Sequence, residues 1–177
     1  LLDCAFPKTN LKNARLDAMK VSDRADFSKA DLTNASIMDV DLTEADFSDA
    51  ILTNANFTRS LMGSANLSDA TIEKTDFTAC NLINANFSGV ELKNVNLEKA
   101  GLSRAIFNGT KFTDVNMVGA DLSLTTFDDV DLSKTRLQKA QFAQSTLDDM
   151  NFNGQDLTEV VFDKGSVSGS RFEKAKL

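Results

Sequence analysis

Two aspartate doublets, Asp128-Asp129 and Asp148-Asp149, stand twenty residues apart. Three kinds of chemistry use carboxylates in such a pattern. Paired acids can perform acid–base catalysis, oxygen-only clusters can hold Ca²⁺, and a dense acidic patch can receive a basic partner. The rest of the composition narrows these options. The 177 residues include no His, Trp or Tyr, so imidazole bases, Ser-His-Asp systems and His metal ligands are excluded. Ser and Thr are abundant but have no base to activate them. The two cysteines, Cys4 and Cys80, cannot build a Cys4 zinc site. A net charge of −7 opposes direct contact with nucleic acid. No run of 18 apolar residues is available to span a membrane. What the aspartates can do therefore depends on the elements that hold them.

Those elements follow from a repeat. Phe27, Leu32, Ile37, Leu42 and Phe47 begin a series of apolar residues, one every five, that continues unbroken through Phe172 to Leu177. Two residues before each stands a mostly small one, as at Ala25, Ala30, Ala35 and Val40. Apolar spacings therefore alternate two and three. A helix would smear them over every side, and an extended strand would send alternate ones into water. A chain that turns a corner once per repeat keeps both positions inside. Four corners close a square coil of twenty residues, and coils stacked about 4.8 Å apart pair as parallel strands. No coil buries its apolar side chains alone, so stacking supplies the core.

The pattern A-(D/N)-(L/F)-x-x stands here as Ala25-Asp26-Phe27-Ser28-Lys29, Ala30-Asp31-Leu32-Thr33-Asn34 and Ala45-Asp46-Phe47-Ser48-Asp49. It resembles the pentapeptide-repeat family over nearly the whole chain. The resemblance implies an all-β fold, a right-handed quadrilateral β-helix. An N-terminal series, Phe6, Leu11, Leu16 and Val21, runs in a shifted register. Residues 1–177 then form a single solenoid domain of just under nine coils. Residues 1–24 are its first coil, with one inserted residue near Asp23-Arg24. Pro7 lies in that first coil, where a missing donor costs least. Short polar residues are expected to make the corners, since Gly and Pro are too few.

Cys4 and Cys80 take the small inward slot nearly four coils apart. That separation is beyond the roughly 7 Å a disulfide allows, so both are expected as reduced core residues. The Asn-x-Ser/Thr sequons at Asn34, Asn56, Asn66, Asn86 and Asn108 arise from the repeat's own composition. Met150, Gln155 and Gly165 fit the small slot poorly, which predicts loosening of the last two coils.

Steps of twenty sort the repeats onto four sides. The side through Phe27, Phe47, Leu67 and Phe127 carries Asp26, Asp46, Asp49, Asp69, Asp128, Asp129, Asp148 and Asp149, with Lys29 its only base. Its balance of −7 equals that of the whole chain. Asp49 falls under Asp69, Asp128 under Asp148, and Asp129 under Asp149, and like charges so opposed are destabilising. Three readings stay open: a solvated, solubilising face, a docking surface for a basic partner, and adventitious cation binding by the two doublets. The side with fewest charges presents Leu61, Ile83, Leu124 and Val161 outward, a candidate contact face. Phe162, Val167, Phe172 and Leu177 form the last rung, and an uncapped rung predicts end-to-end pairing of two copies.

A convex rod has no pocket to exclude water or shift a pKa, so no enzyme is expected, and no cofactor. The leading expectation is a rigid scaffold or interaction module with a protein partner. The alternative comes from the resemblance, because some family members imitate duplex DNA and bind DNA gyrase. It would work here through the acidic side. The resemblance also implies either bacterial cytoplasm, to which the reading leans, or the thylakoid lumen. A chain opening on Leu1 shows no signal peptide, and any targeting segment is expected to have been removed.

Overall fold

The computed structural model of the protein describes residues 5–20 and 24–177. Its chain is the right-handed quadrilateral β-helix that the repeat implies. Most corners are four-residue turns closed by a backbone bond, as where Ala30 N donates to Phe27 O at 3.0 Å, whereas Val40 N and Met150 N donate to the Ser60 and Ser170 hydroxyls. The third residue of each turn takes a left-handed backbone. Lys29 has φ 59°, Asn34 59° and Arg59 61°. Among the described corner residues from Arg24 to Lys174, Lys134 alone departs from this rule. Asx residues act one position before the central apolar residue. Asp26 Oδ1, for example, accepts from Ser28 N at 2.9 Å and fixes the entry to the turn.

Successive coils pair in parallel with a register of twenty, as at Asp46↔Asn66, Ile51↔Thr71 and Asn56↔Asp76. Most of this pairing is single bridges, with five short strands where it is denser. Strands β1 (Ile72–Glu73), β2 (Glu91–Lys93) and β3 (Lys111–Thr113) form one parallel sheet, and β4 (Val115–Asn116) and β5 (Thr135–Arg136) another. In the first coil the register is twenty-one, at Ala5↔Asp26, Asn10↔Asp31 and Arg15↔Ser36. Val21 and Asp23, on which the position of the inserted residue rests, lie outside the described residues, as does Cys4. No helix among the described residues is long and apolar enough to cross a membrane.

The interior is a double stack. Every central residue from Phe27 to Leu157 is buried, beside a column of small ones such as Ala25, Ala45 and Ala65. Phenylalanines stack in register, with 5.0 Å between the Phe27 and Phe47 centroids and 5.2 Å between Phe57 and Phe77. Rings from opposite sides meet edge to face, as at Phe47–Phe57. Most polar residues in the small slot are satisfied by the carbonyl twenty-three residues earlier, whereas Thr125 and Thr135 bond the one three residues earlier. Ser60 Oγ donates to Ile37 O at 2.7 Å, Thr75 Oγ1 to Leu52 O at 2.8 Å and Thr110 Oγ1 to Phe87 O at 2.7 Å.

Loosening near the last two coils is confined, among the described residues, to two sides, where Asn151 N and Asp156 N make no ladder bond and the bridges Asp131↔Asn151 and Arg136↔Asp156 are missing. Leu147 N, Phe152 N and Leu157 N all bond upward at 2.7–2.9 Å. Gln155 reaches inward and donates from Nε2 to Leu132 O at 2.7 Å, while its Oε1 is buried without a partner. Met150 is buried.

Candidate functional site

The acidic side brings its eight aspartates into columns, but they do different work. Asp26 and Asp46 are turned to the backbone. Asp46 Oδ1 accepts from Ser48 N at 2.9 Å and from Asn66 Nδ2 at 3.1 Å, and Asn66 in turn accepts from Asn86 at 3.3 Å. This ladder makes both acids part of the frame. Asp49 lies 3.9 Å from Lys29. Asp69 leans over Gly89, where a methyl group would sit 2.5 Å from its Oδ1, and Asp149 leans over Gly169 in the same way. Asp148 accepts from the Ser166 hydroxyl and, at 2.8 Å, from Ser168 N. Asp128 and Asp129 are exposed, with no base within salt-bridge distance.

The two doublets line a shared groove with Phe127, Val130 and Met150. Among the described residues, no three metal-ligating side chains converge where a cation could be held. The carboxylates face solvent in a row and do not turn toward one centre.

Beside this groove the ladder between coils opens. Below it, Phe87 N bonds Ile106 O at 2.8 Å and Gly89 N bonds Asn108 O at 2.9 Å. One coil higher, among the described residues, Phe107 N and Gly109 N make no such bonds. Thr126 N, Asp129 N and Asp131 N are also unpaired, and the bridges Ile106↔Thr126 and Lys111↔Asp131 are missing from the series. The core shows the same opening. Phe112 and Val130 are 6% and 7% exposed where most of the interior is at 0–1%. On the other two sides the coils stay joined, through β4 and β5 and through Leu122 N to Gln141 O at 2.8 Å. The rod is thus wedged open on the acidic side and the side after it.

Sequence reasoning missed this wedge, although its signal was present. The small slot on the side after the acidic one holds Val90, Thr110, Val130 and Met150, whereas the least charged side holds Ala100, Ala120 and Ala140. Unequal filling separates coils on one edge and lets them close on the other.

Leu61, Ile83, Leu124 and Val161 are all exposed, at 37–47%. They do not form one patch. Leu61 and Ile83 lie on adjacent coils with Gly63 and Gly101 beside them. Leu124 stands two coils above Ile83, in a groove with Ile106 and Thr126 at the wedge. Val161 lies two coils beyond that. In the last rung Phe162 and Phe172 are half-buried against the core, while Val167 and Leu177 are exposed.

Other titratable groups belong to the frame. The Thr33 hydroxyl, with Lys12 at 3.0 Å, holds Asp31 below the usual carboxylate range. The Arg59 guanidinium does the same to Asp39 through a two-bond fork of 2.7 and 2.6 Å. Cys80 is free and buried, its Sγ donating to Phe57 O at 2.8 Å, and burial pushes its thiol up to about 12. A thiol held protonated in this way is a packing group and a poor nucleophile.

Comparison with known proteins agrees with this geometry. Residues 30–105 and 85–162 match the family described as pentapeptide repeat region. No curated protein matches the chain. The solved structure of HetL is similar over 98% of this chain and 87% of its own, with 22% identity and a TM-score of 0.58. HetL is a pentapeptide repeat protein involved in heterocyst differentiation regulation from the cyanobacterium Nostoc sp. strain PCC 7120. A trypsin-treated variant of QnrB1, a plasmid-mediated fluoroquinolone resistance protein, is 19% identical, covering 99% of this chain and 90% of its own, with a TM-score of 0.48. A pentapeptide repeat protein from the Arabidopsis thaliana thylakoid lumen is 26% identical, covering 72% and 70%, with a TM-score of 0.42. The likeness to HetL is a likeness of fold.

Proposed function

The chain belongs to the pentapeptide-repeat family, and from that premise we propose that it is a non-catalytic interaction scaffold whose acidic side receives a basic protein partner. The single observation that carries this reading is the distribution of charge. One side of the rod holds eight acids and one base, and Asp128 and Asp129 on it are exposed and unpaired. A purely solubilising surface would intersperse the signs. Concentrated, registered carboxylates on a rigid frame instead speed encounter with a basic surface and fix its orientation.

The test is a paired capture experiment. Wild type and a variant with Asp128, Asp129, Asp148 and Asp149 all replaced by Asn are used as bait at low and moderate salt. Basic proteins retained by wild type and lost by the variant support the reading. Identical retention by both baits overturns it.

A second reading is that the same side imitates the phosphate row of duplex DNA and engages a DNA-handling enzyme such as DNA gyrase. It is favoured by the vertical registration of Asp128 with Asp148 and of Asp129 with Asp149. Gly89 and Gly109 interrupt the row below them and weigh against it. A supercoiling assay with purified gyrase tests it: an effect of wild type that the Asn variant lacks supports the imitation, and no effect of wild type removes it.

A further inference from the structure

The chain contains two Asn-Gly pairs, Asn108-Gly109 and Asn153-Gly154. Both occupy the same two positions of their turns, and both glycines are left-handed, with φ of 67° and 71°. Their surroundings differ. Gly154 N donates to Glu173 O at 2.9 Å, and Asn153 Oδ1 accepts from Glu173 N at 2.7 Å. Backbone and side chain of that pair are therefore both held by the coil above. Asn108-Gly109 lies at the lower edge of the wedge. Gly109 N has no acceptor, Asn108 is exposed, and its side chain makes no hydrogen bond. Apart from Gly89 N at 4.0 Å, a methyl group on Gly109 would meet nothing.

We propose that Asn108 is a site of spontaneous covalent modification, deamidated through attack by the Gly109 amide. Asn is the most labile of the amide residues, and a following Gly adds no Cβ to obstruct the approach. Gly109 N attacks Asn108 Cγ and forms a new C–N bond. The side-chain nitrogen leaves as ammonia, carrying away the proton that Gly109 N gives up, and a cyclic imide remains. Water then opens the imide at one of its two carbonyls, producing Asp or its β-linked isomer at 108. No oxidant or reductant takes part.

The attack requires the Asn108–Gly109 peptide to rotate out of its turn. The missing ladder bonds release that rotation at 109, whereas Glu173 opposes it at 154. The product has a structural consequence. Position 108 stands directly below Asp128 and Asp148, so the reaction extends the acidic column by one coil. The β-linked isomer also lengthens the backbone by one carbon, at a turn where no ladder bond resists it.

The experiment ages the folded chain in mildly alkaline buffer and maps its tryptic peptides. Residues 105–111 and 140–164 report the two pairs separately, because cleavage falls after Arg104, Lys111, Lys139 and Lys164. Isoaspartyl methyl transfer and the mass change from amide to acid give two readouts. Conversion at Asn108 is expected to run several-fold faster than at Asn153 in the native chain, and the two rates are expected to converge in urea. Equal rates in the native chain, or an Asn108 that stays intact while Asn153 converts, would overturn the proposal. The Asn108→Gln variant should lose the acidic species that appears on ion exchange while keeping the wild-type melting temperature. Persistence of that species in the variant would also overturn it.

Discussion

The coils from Ala25 to Arg104 and the coil and a half from Ala105 to Lys134 are built from the same five-residue unit, yet they are held together differently. In the first region most turns have their own closing bond and ladder bonds to neighbouring coils, and many, as at Asp26, Asp46 and Asn86, add an Asx acceptor. The stacked amides of Asn34 and Asn54, 3.0 Å apart, add a side-chain ladder outside the backbone one. In the second region the closing bond of Thr110 N to Phe107 O remains at 3.0 Å, but the upward ladder from Phe107 and Gly109 is gone, while it persists from Met117 and Leu122 on the other two sides. What distinguishes the two is volume in the inward slot and charge on the surface. Ala25, Ala45 and Ala65 let coils settle evenly, whereas Thr110, Val130 and Met150 hold them apart beneath stacked carboxylates. A repeat sequence thus sets the fold by its average and sets local opening by its deviations.

The largest effect should come from the closed region. Phe77 is fully buried, stacked on Phe57 and edge-on to Phe87. Phe77→Asp would bury an unpaired charge and is expected to prevent folding, which circular dichroism would report. Phe77→Ala keeps the comparison measurable: it should cost about 3–5 kcal/mol in urea denaturation. Phe112→Ala, at the wedge, should cost less, since its coil has already given up contacts. If the alanine at 112 proved the more damaging, the wedge would be as tightly packed as the rest and the contrast would fail.

This contrast also marks how far the sequence could be read. The positions of Phe27 to Leu157, the small slot, the four sides and the acidic column all follow from a strict period of five, because one rule decides every inward residue. Capping of the interior hydroxyls did not follow, since Ser60 and Thr75 find their acceptors twenty-three residues away, a distance set by the stacking. The wedge was legible only as a comparison between sides, Val130 and Met150 against Ala120 and Ala140. The sequence also placed loosening in the last two coils, where Gln155 Nε2 reaches Leu132 O but its Oε1 is buried without a partner. The eight aspartates stand on one side as the period of five requires, but their separate roles were not legible. Nothing in the repeat distinguishes Asp46, which braces Ser48, from Asp129, which braces nothing.

A second measurement reads the wedge directly. Amide hydrogen exchange of Phe107, Gly109, Thr126, Asp129 and Asp131 should occur through local opening at almost no free-energy cost. Phe47, Asp49 and Ile51, which occupy equivalent positions three to four coils lower, bond upward or downward at 2.7–3.1 Å and should exchange only near the global unfolding limit. The separation should therefore be orders of magnitude in rate at neutral pH. Uniform protection along the acidic side would show that the ladder is continuous in solution. It would also remove the basis for a reactive Asn108.

The smallest expected effect concerns acid. Asp31 is held below the ordinary carboxylate value of 3.8 by the Thr33 hydroxyl, then by Lys12 and by Thr33 N. Asp131 is lowered by the backbone amide of Ser133, then by its hydroxyl and by Lys134. A carboxyl whose folded value is depressed binds fewer protons when native than when unfolded. Its contribution is therefore complete above the unfolded value and is lost as pH falls through the folded one. Melting temperature should stay level from neutrality to about pH 5 and decline below about pH 4. Both side chains reach solvent, so screening keeps each contribution small. The two regions should differ even here. Asp31→Asn keeps the turn acceptor but removes the titrating charge beside Lys12, in a turn whose neighbours are all engaged, so it should flatten the acid limb measurably. Asp131→Asn acts in a coil already released from the one below and should change it less. A melting temperature that rose on acidification would reverse the sign of the linkage. A larger flattening from Asp131→Asn would mean that this single Asx turn, and not the ladder, is what holds the open coil in place.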